Sequence, residues 1–254
     1  MPFTVSHVVA VLPFVRGRDG GGLVPAGLVI GSMVPDLPYF IPPHRGSDWS
    51  HAAYGPVTLD LIAGLVLFAL WRLVMRAPLV DLSPRWLRQR LPPTPALDRS
   101  TWLWAAISVV LGAATHVVWD TFTHRDRWGT TQVPWLMQVH AGLPGFKWLQ
   151  YGSGVVGMAI LALWLVGWIW RSDVTGEERL GRVAPGQRVA AWLVVAGCLL
   201  ATVVVVWISG ALRSGRWLDE VTAVRIATRS ISWTATVVIV LCLAWRALPR
   251  RRAA

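Results

Sequence analysis

The sequence predicts an all-α protein: a polytopic transmembrane helical bundle of about five full spans, preceded by a short N-terminal helical hairpin. Three observations predict it. Of the 254 residues, 54% are hydrophobic and only 15% charged, against roughly 25% charged in an average soluble domain. Long apolar runs occupy 59–71, 103–118, 155–170, 189–208 and 231–245, which approach or reach the ~20 residues that cross a bilayer as helix. Finally, 23 of the 24 cations are Arg, and they cluster beside those runs.

The elements follow in chain order. Residues 3–15 and 23–34 are apolar but short, and Arg16, Arg18 and a glycine run separate them. Twelve residues rise only about 18 Å as helix, so the segment 3–34 reads as a hairpin that dips into the membrane. Its open end carries His7 on one arm and Asp36 on the other. The N-terminus lacks a basic region ahead of its apolar stretch and reads as mature protein. Full spans are expected at 56–76, 101–121, 152–170, 189–209 and 229–246. Pro- and Arg-rich residues 77–99 and polar residues 171–188 read as loops. Residues 1–170 form the expected site-bearing membrane domain, and 189–246 contribute two C-terminal helices.

Charge fixes an expected orientation. Segment 72–99 holds six Arg, 171–188 four, and the tail from Arg246 four more, whereas 121–150 and 210–228 hold three cations each. The alternation follows the positive-inside rule. It predicts a multi-pass cell-membrane protein with the Arg-rich segments and the C-terminus in the cytoplasm. The net charge of +11 therefore signals membrane lipid rather than nucleic acid, which needs a basic stripe on a soluble domain. Cys198 and Cys242 both lie in apolar runs, which argues against a disulfide framework or a cysteine metal site.

The strongest chemical signal is His116-Val-Val-Trp-Asp120-Thr-Phe-Thr-His124. Residues four apart share a helix face, so His116, Asp120 and His124 form one polar ladder climbing towards a span end. Imidazole and carboxylate suit zinc and similar divalent metals. The plainer reading is hydrogen bonding across the bundle or at the headgroups, which fits His124 best. Ionisable residues within spans are costly and usually functional, which favours the metal reading for His116 and Asp120.

The predicted orientation sends the end of span 101–121 and the start of span 56–76 to the outer face. Ser50-His51 precedes the latter, and the hairpin opens there with His7 and Asp36. Five candidate ligands on four segments thus converge. Pro35 and Pro38 stiffen the turn around Asp36; the alternative is a Pro-capped helix end with a solvated Asp. Asp60, within the next span, is either an acid orienting a metal-bound His or a partner for an Arg or backbone group. His44, Asp48 and His140 read better as exposed loop residues, and Gln150 as a weak candidate for substrate contact. The 17 Trp read as interfacial anchors. There is no G-x-S-x-G elbow, Walker loop, dinucleotide fingerprint or H-E-x-x-H motif.

The segments MPFTVSH, GSMVPDLPYF, Ser50-His51 and HVVWDTFTH resemble the bacterial membrane proteins of domain-of-unknown-function family 4184, over most of residues 1–160. More remotely, their order is similar to membrane-bound metal-dependent hydrolases and to zinc-dependent phospholipase C. That resemblance implies metal ligands at His7, Asp36, His51, His116 and Asp120, and a divalent metal, zinc foremost. The resulting expectation is a metal-dependent hydrolase at the extracytoplasmic face. His124 joins the metal set, Asp36 or Asp120 acts as catalytic base where it is not fully engaged as a ligand, and the substrate is a lipid or lipid-linked phosphoester. The alternative is a non-catalytic membrane scaffold or an ion or solute transporter. A transporter needs polar residues through the bundle, and the last three spans offer almost none.

Overall fold

The computed structural model describes residues 4–15, 22–42, 48–92, 96–174, 182–214 and 220–249. The described residues are overwhelmingly helical; a two-stranded ribbon, β1 (Val139–His140) with β2 (Leu143–Pro144), is the one sheet among them. The helices used below are α1 (Thr4–Phe14, with 3-10 turns at both ends), α2 (Pro25–Met33), α3 (Leu59–Ala69), α4 (Arg76–Leu82), α5 (Arg99–Thr123), α6 (Trp128–Gln132), α7 (Gly145–Arg171), α8 (Pro185–Ser214) and α9 (Glu220–Ala247).

Four helical segments are long and apolar enough to cross a membrane: Arg99–Thr123, Gly145–Arg171, Pro185–Leu212 and Val221–Ala247. They carry large apolar side chains on their outer faces, among them Leu163 at 73% exposure and Leu200 at 65%. A soluble protein does not leave such continuous apolar surface in water, so the chain is a helical membrane protein. The expected span at 56–76 takes a different form. Helicity runs from Leu59 to Leu82 but is divided by a π-helical stretch at Leu70–Met75. Pro78 supplies a reason: without an N–H it cannot bond the Val74 carbonyl four residues back. Arg246 takes that carbonyl through Nε at 3.3 Å and also donates to the Leu73 carbonyl. The expected loop at 77–99 accordingly begins with helix α4.

The chain forms two compact units. The first comprises residues 1–38, 46–68 and 94–171; the second comprises 39–45, 69–93 and 172–254. In the second, buried Asp81 gathers the chain: its carboxylate accepts from Arg182 N and Trp245 Nε1, both at 2.7 Å, and from Arg188 Nη2 at 3.2 Å.

In the first unit α5 is the central post. Asp98 caps its start, accepting from the Thr101 backbone N–H at 2.7 Å, as N-cap aspartates do. Helix α2 begins with Pro25 in the first turn, where its missing N–H costs nothing. Its Gly27-x-x-x-Gly31 face lies directly on α5. A Cβ on Gly31 would sit 2.3 Å from the Val109 carbonyl oxygen, and one on Gly112 would sit 2.4 Å from that of Leu28. Only glycine permits this approach, the small-xxx-small packing of membrane helices. Val8, Val11, Leu28 and Leu161 close the core between α1, α2 and α7. The expected hairpin is thus two short helices, while its turn at 16–21 lies outside the described residues.

Candidate metal centre

The close α2–α5 contact has a direct chemical consequence. It brings the Ser32 carbonyl, near the end of α2, within 2.8 Å of His116 Nδ1 on α5. A carbonyl only accepts, so Nδ1 carries a proton, and Nε2 is the ring nitrogen left to face the carboxylates. That Nε2 is fully buried and has no hydrogen-bond partner. The nearest carboxylate oxygens, Asp36 Oδ1 and Asp120 Oδ2, stand 3.6 and 3.4 Å away.

His51 is oriented the same way by a different device. Ser50 Oγ donates its one proton to the Pro35 carbonyl at 2.8 Å. It therefore accepts from His51 Nδ1 at 3.1 Å, leaving His51 Nε2 to face Asp36 Oδ1 and Asp120 Oδ2, each at 3.4 Å. The bond to Pro35 also ties the Ser50 turn to the turn that carries Asp36. Each carboxylate keeps its second oxygen outside the group. Asp36 Oδ2 accepts from Thr4 Oγ1 at 2.6 Å, and Asp120 Oδ1 from Thr123 Oγ1 at 3.2 Å.

Asp36, His51, His116 and Asp120 thus each offer one ligand atom, all within 4.8 Å of one another. Two atoms sharing a four-coordinate zinc at about 2.1 Å lie about 3.4 Å apart. The four N···O separations of 3.4–3.6 Å match that spacing and are long for hydrogen bonds. A buried Nε2 without a partner and two oriented imidazoles are what a cation site requires. The buried cluster can hold a metal ion.

Of the six residues expected as metal ligands, these four come together and two flank them. His7 Nε2 lies 3.6 Å from Asp120 Oδ1, and its ring stacks on His116 with centroids 3.8 Å apart. His124 Nδ1 lies 3.5 Å from Asp120 Oδ2, while its Nε2 takes the Gln150 amide at 3.3 Å. Gln150 is buried and holds His124. Burial works against charge on His51, but without an ion the carboxylates of Asp120 and Asp36 outweigh it and push its imidazole up to about 9, so a cation entering here displaces a proton. Burial holds His124 below the ordinary histidine value, against the pull of Asp120.

Asp60 is 2% exposed and its Oδ2 has no hydrogen-bond partner. His140 stacks on Trp135 and its Nε2 meets that residue's carbonyl at 3.0 Å. Asp48 pairs with Arg127, and His44 lies outside the described residues. The supporting hydroxyls of Thr4, Ser50 and Thr123 and the Ser32 carbonyl all lie within the four segments singled out in the sequence, but their supporting roles were not read there. The adjacency of Ser50 to His51 and of Thr123 to His124 was the signal available for two of them.

These residues sit in a chain that belongs to the family described as a domain of unknown function, DUF4184, whose profile matches residues 1–246. No curated protein and no solved structure matches the chain.

Proposed function

We propose that the protein is a metal-dependent hydrolase of the cell membrane, with zinc held by Asp36, His51, His116 and Asp120, and with His7 and His124 flanking as further candidate ligands. The observation that carries this reading is the unpartnered His116 Nε2 facing two carboxylates and a second oriented imidazole. A bound divalent ion supplies Lewis-acid polarisation of a phosphoryl or carbonyl oxygen and activation of water.

The chain's own groups do the rest. Four protein ligands close a four-coordinate zinc, so the base is a carboxylate not fully engaged as a ligand, and Asp120 is the better placed of the two candidates. Asp36 Oδ2 is closed by Thr4 at 2.6 Å, whereas Asp120 Oδ1 has a longer 3.2 Å bond from Thr123 and faces His7. His7 is positioned to take the proton onward. The Arg-rich segments and the C-terminus lie in the cytoplasm in this reading, which sets the last two turns of α5 at the outer face. A site at headgroup depth favours a lipid or lipid-linked phosphoester.

The test is hydrolysis by the purified full chain in lipid micelles, against a panel of phospholipids and lipid phosphates. Chelation should abolish activity, zinc should restore it, and Asp120→Asn should lower kcat at least 100-fold, on the order of a lost base. Chelator-resistant turnover, or full activity in Asp120→Asn, would contradict the proposal. A zinc-replete chain inactive on every phosphoester and ester would favour the scaffold or transporter reading.

A further inference from the structure

The rim of the cluster carries one feature that the hydrolase reading leaves unused. Side-chain exposure rises from 0% at His116 to 10% at His51, 30% at His124, 39% at Arg127 and 93% at Asp48. The open side of the cluster is therefore the side of His51 and His124. There Arg127 Nη2 contacts Asp48 Oδ1 at 3.0 Å, joining segments 79 positions apart in sequence. Asp48 stands three residues from His51, and Arg127 three residues from His124, so each backbone lies within about 10 Å of a cluster histidine.

The turn that presents Arg127 is built, not loose. Asp126 adopts φ +58°, an uncommon, strained conformation for a residue other than glycine. Fully buried Thr130 locks it in place, its hydroxyl bonding the His124 carbonyl at 3.0 Å and accepting the Arg127 N–H at 3.1 Å. The Arg127 backbone is thus fixed relative to the end of α5, and its guanidinium reaches Asp48 from there. Its counter-ion is different in kind: Asp48 is almost fully exposed, and exposed ion pairs contribute little.

Charge gives this pair a purpose. Two carboxylates in the quartet offset a divalent ion, and the buried carboxyl of Asp60 adds no positive charge. An anionic substrate therefore needs a cation from the rim. Arginine suits a phosphate because its fork donates to two oxygens at once.

Resting on the metal-site reading, we propose that Arg127 is the phosphate-recognition residue of this site. It exchanges the Asp48 carboxylate for a phosphate group of the substrate, so Asp48 is a built-in competitor. The proposal makes opposite predictions for the two partners. Phosphate affinity is measured by calorimetry with inorganic phosphate, on the full chain in micelles, as purified and after zinc loading, with metal content determined in parallel. Arg127→Gln should weaken binding about tenfold, the scale of one charge-assisted bond, and Asp48→Asn should tighten it a few-fold by removing the competitor. Arg127→Lys should fall between wild type and Arg127→Gln. A short-chain phosphatidate is the second arm. Tighter binding than inorganic phosphate assigns the group to a lipid and equal binding to a soluble phosphoester, and the variant ratios must hold in either case. Unchanged affinity in Arg127→Gln, or weakening in Asp48→Asn, overturns the proposal. A wild-type chain that holds no metal after zinc loading defeats the metal reading instead, and the phosphate ratios still decide the role of Arg127.

Discussion

At the scale of single residues, the cluster depends on groups that never touch the ion they would serve. His116 and His51 point Nε2 inward because the Ser32 carbonyl and Ser50 Oγ hold their Nδ1 atoms at 2.8 and 3.1 Å. Ser50 is the testable one, since its hydroxyl can be removed without touching the backbone. Ser50→Ala frees the His51 ring and unties it from Pro35. Loss of such a supporting bond typically costs 10–100-fold in metal affinity, and we expect that loss in zinc competition titrations, with the fold intact by circular dichroism. Wild-type affinity in Ser50→Ala would show that His51 is not held by this contact. His51, His116, Asp36 and Asp120 were all legible as candidates, because ionisable side chains stand out in apolar sequence. The division between four converging residues and two flanking ones was not. It turns on ring direction and on whether Gln150 or a carboxylate faces His124, and no spacing rule encodes either.

At the scale of elements, the α2–α5 contact is what assembles the centre. Gly31 sits one residue before Ser32, and Gly112 sits one turn before His116. Closing this seam therefore delivers the carbonyl to the imidazole. A side chain at Gly31 would meet the Val109 backbone, which cannot rotate away. We expect Gly31→Val to push α2 off α5, with a cost of about 1–3 kcal/mol for overpacking. It should also lose bound zinc through loss of the His116–Ser32 bond. Thermal unfolding in micelles and metal content measure both, and a variant with wild-type values in each would mean the seam does not set the site. The sequence announces the two arms as short apolar helices, and the Gly27-x-x-x-Gly31 spacing was available to be read. The π-helical stretch at Leu70–Met75 was hidden. Hydropathy does not sense hydrogen-bond register, and Pro78 lies beyond the expected end of that span.

At the scale of the whole chain, hydropathy was the most readable signal of all. Four of the five expected spans appear as continuous helices, each longer than its apolar core because helices run on past both ends of the apolar run. Arg225 and Arg229, for example, lie within α9. Membership of DUF4184 across residues 1–246 attaches the fold to a family without attaching an activity, so the claim that matters most is the metal. It is tested most directly by elemental analysis of the full chain, purified without chelator and reloaded with zinc, beside His116→Ala and Asp36→Ala. The account predicts at least one tightly held divalent ion per chain in the wild type and loss of that ion in both variants. A folded wild type that stays below one ion per chain after reloading, or variants that keep the wild-type content, would contradict it.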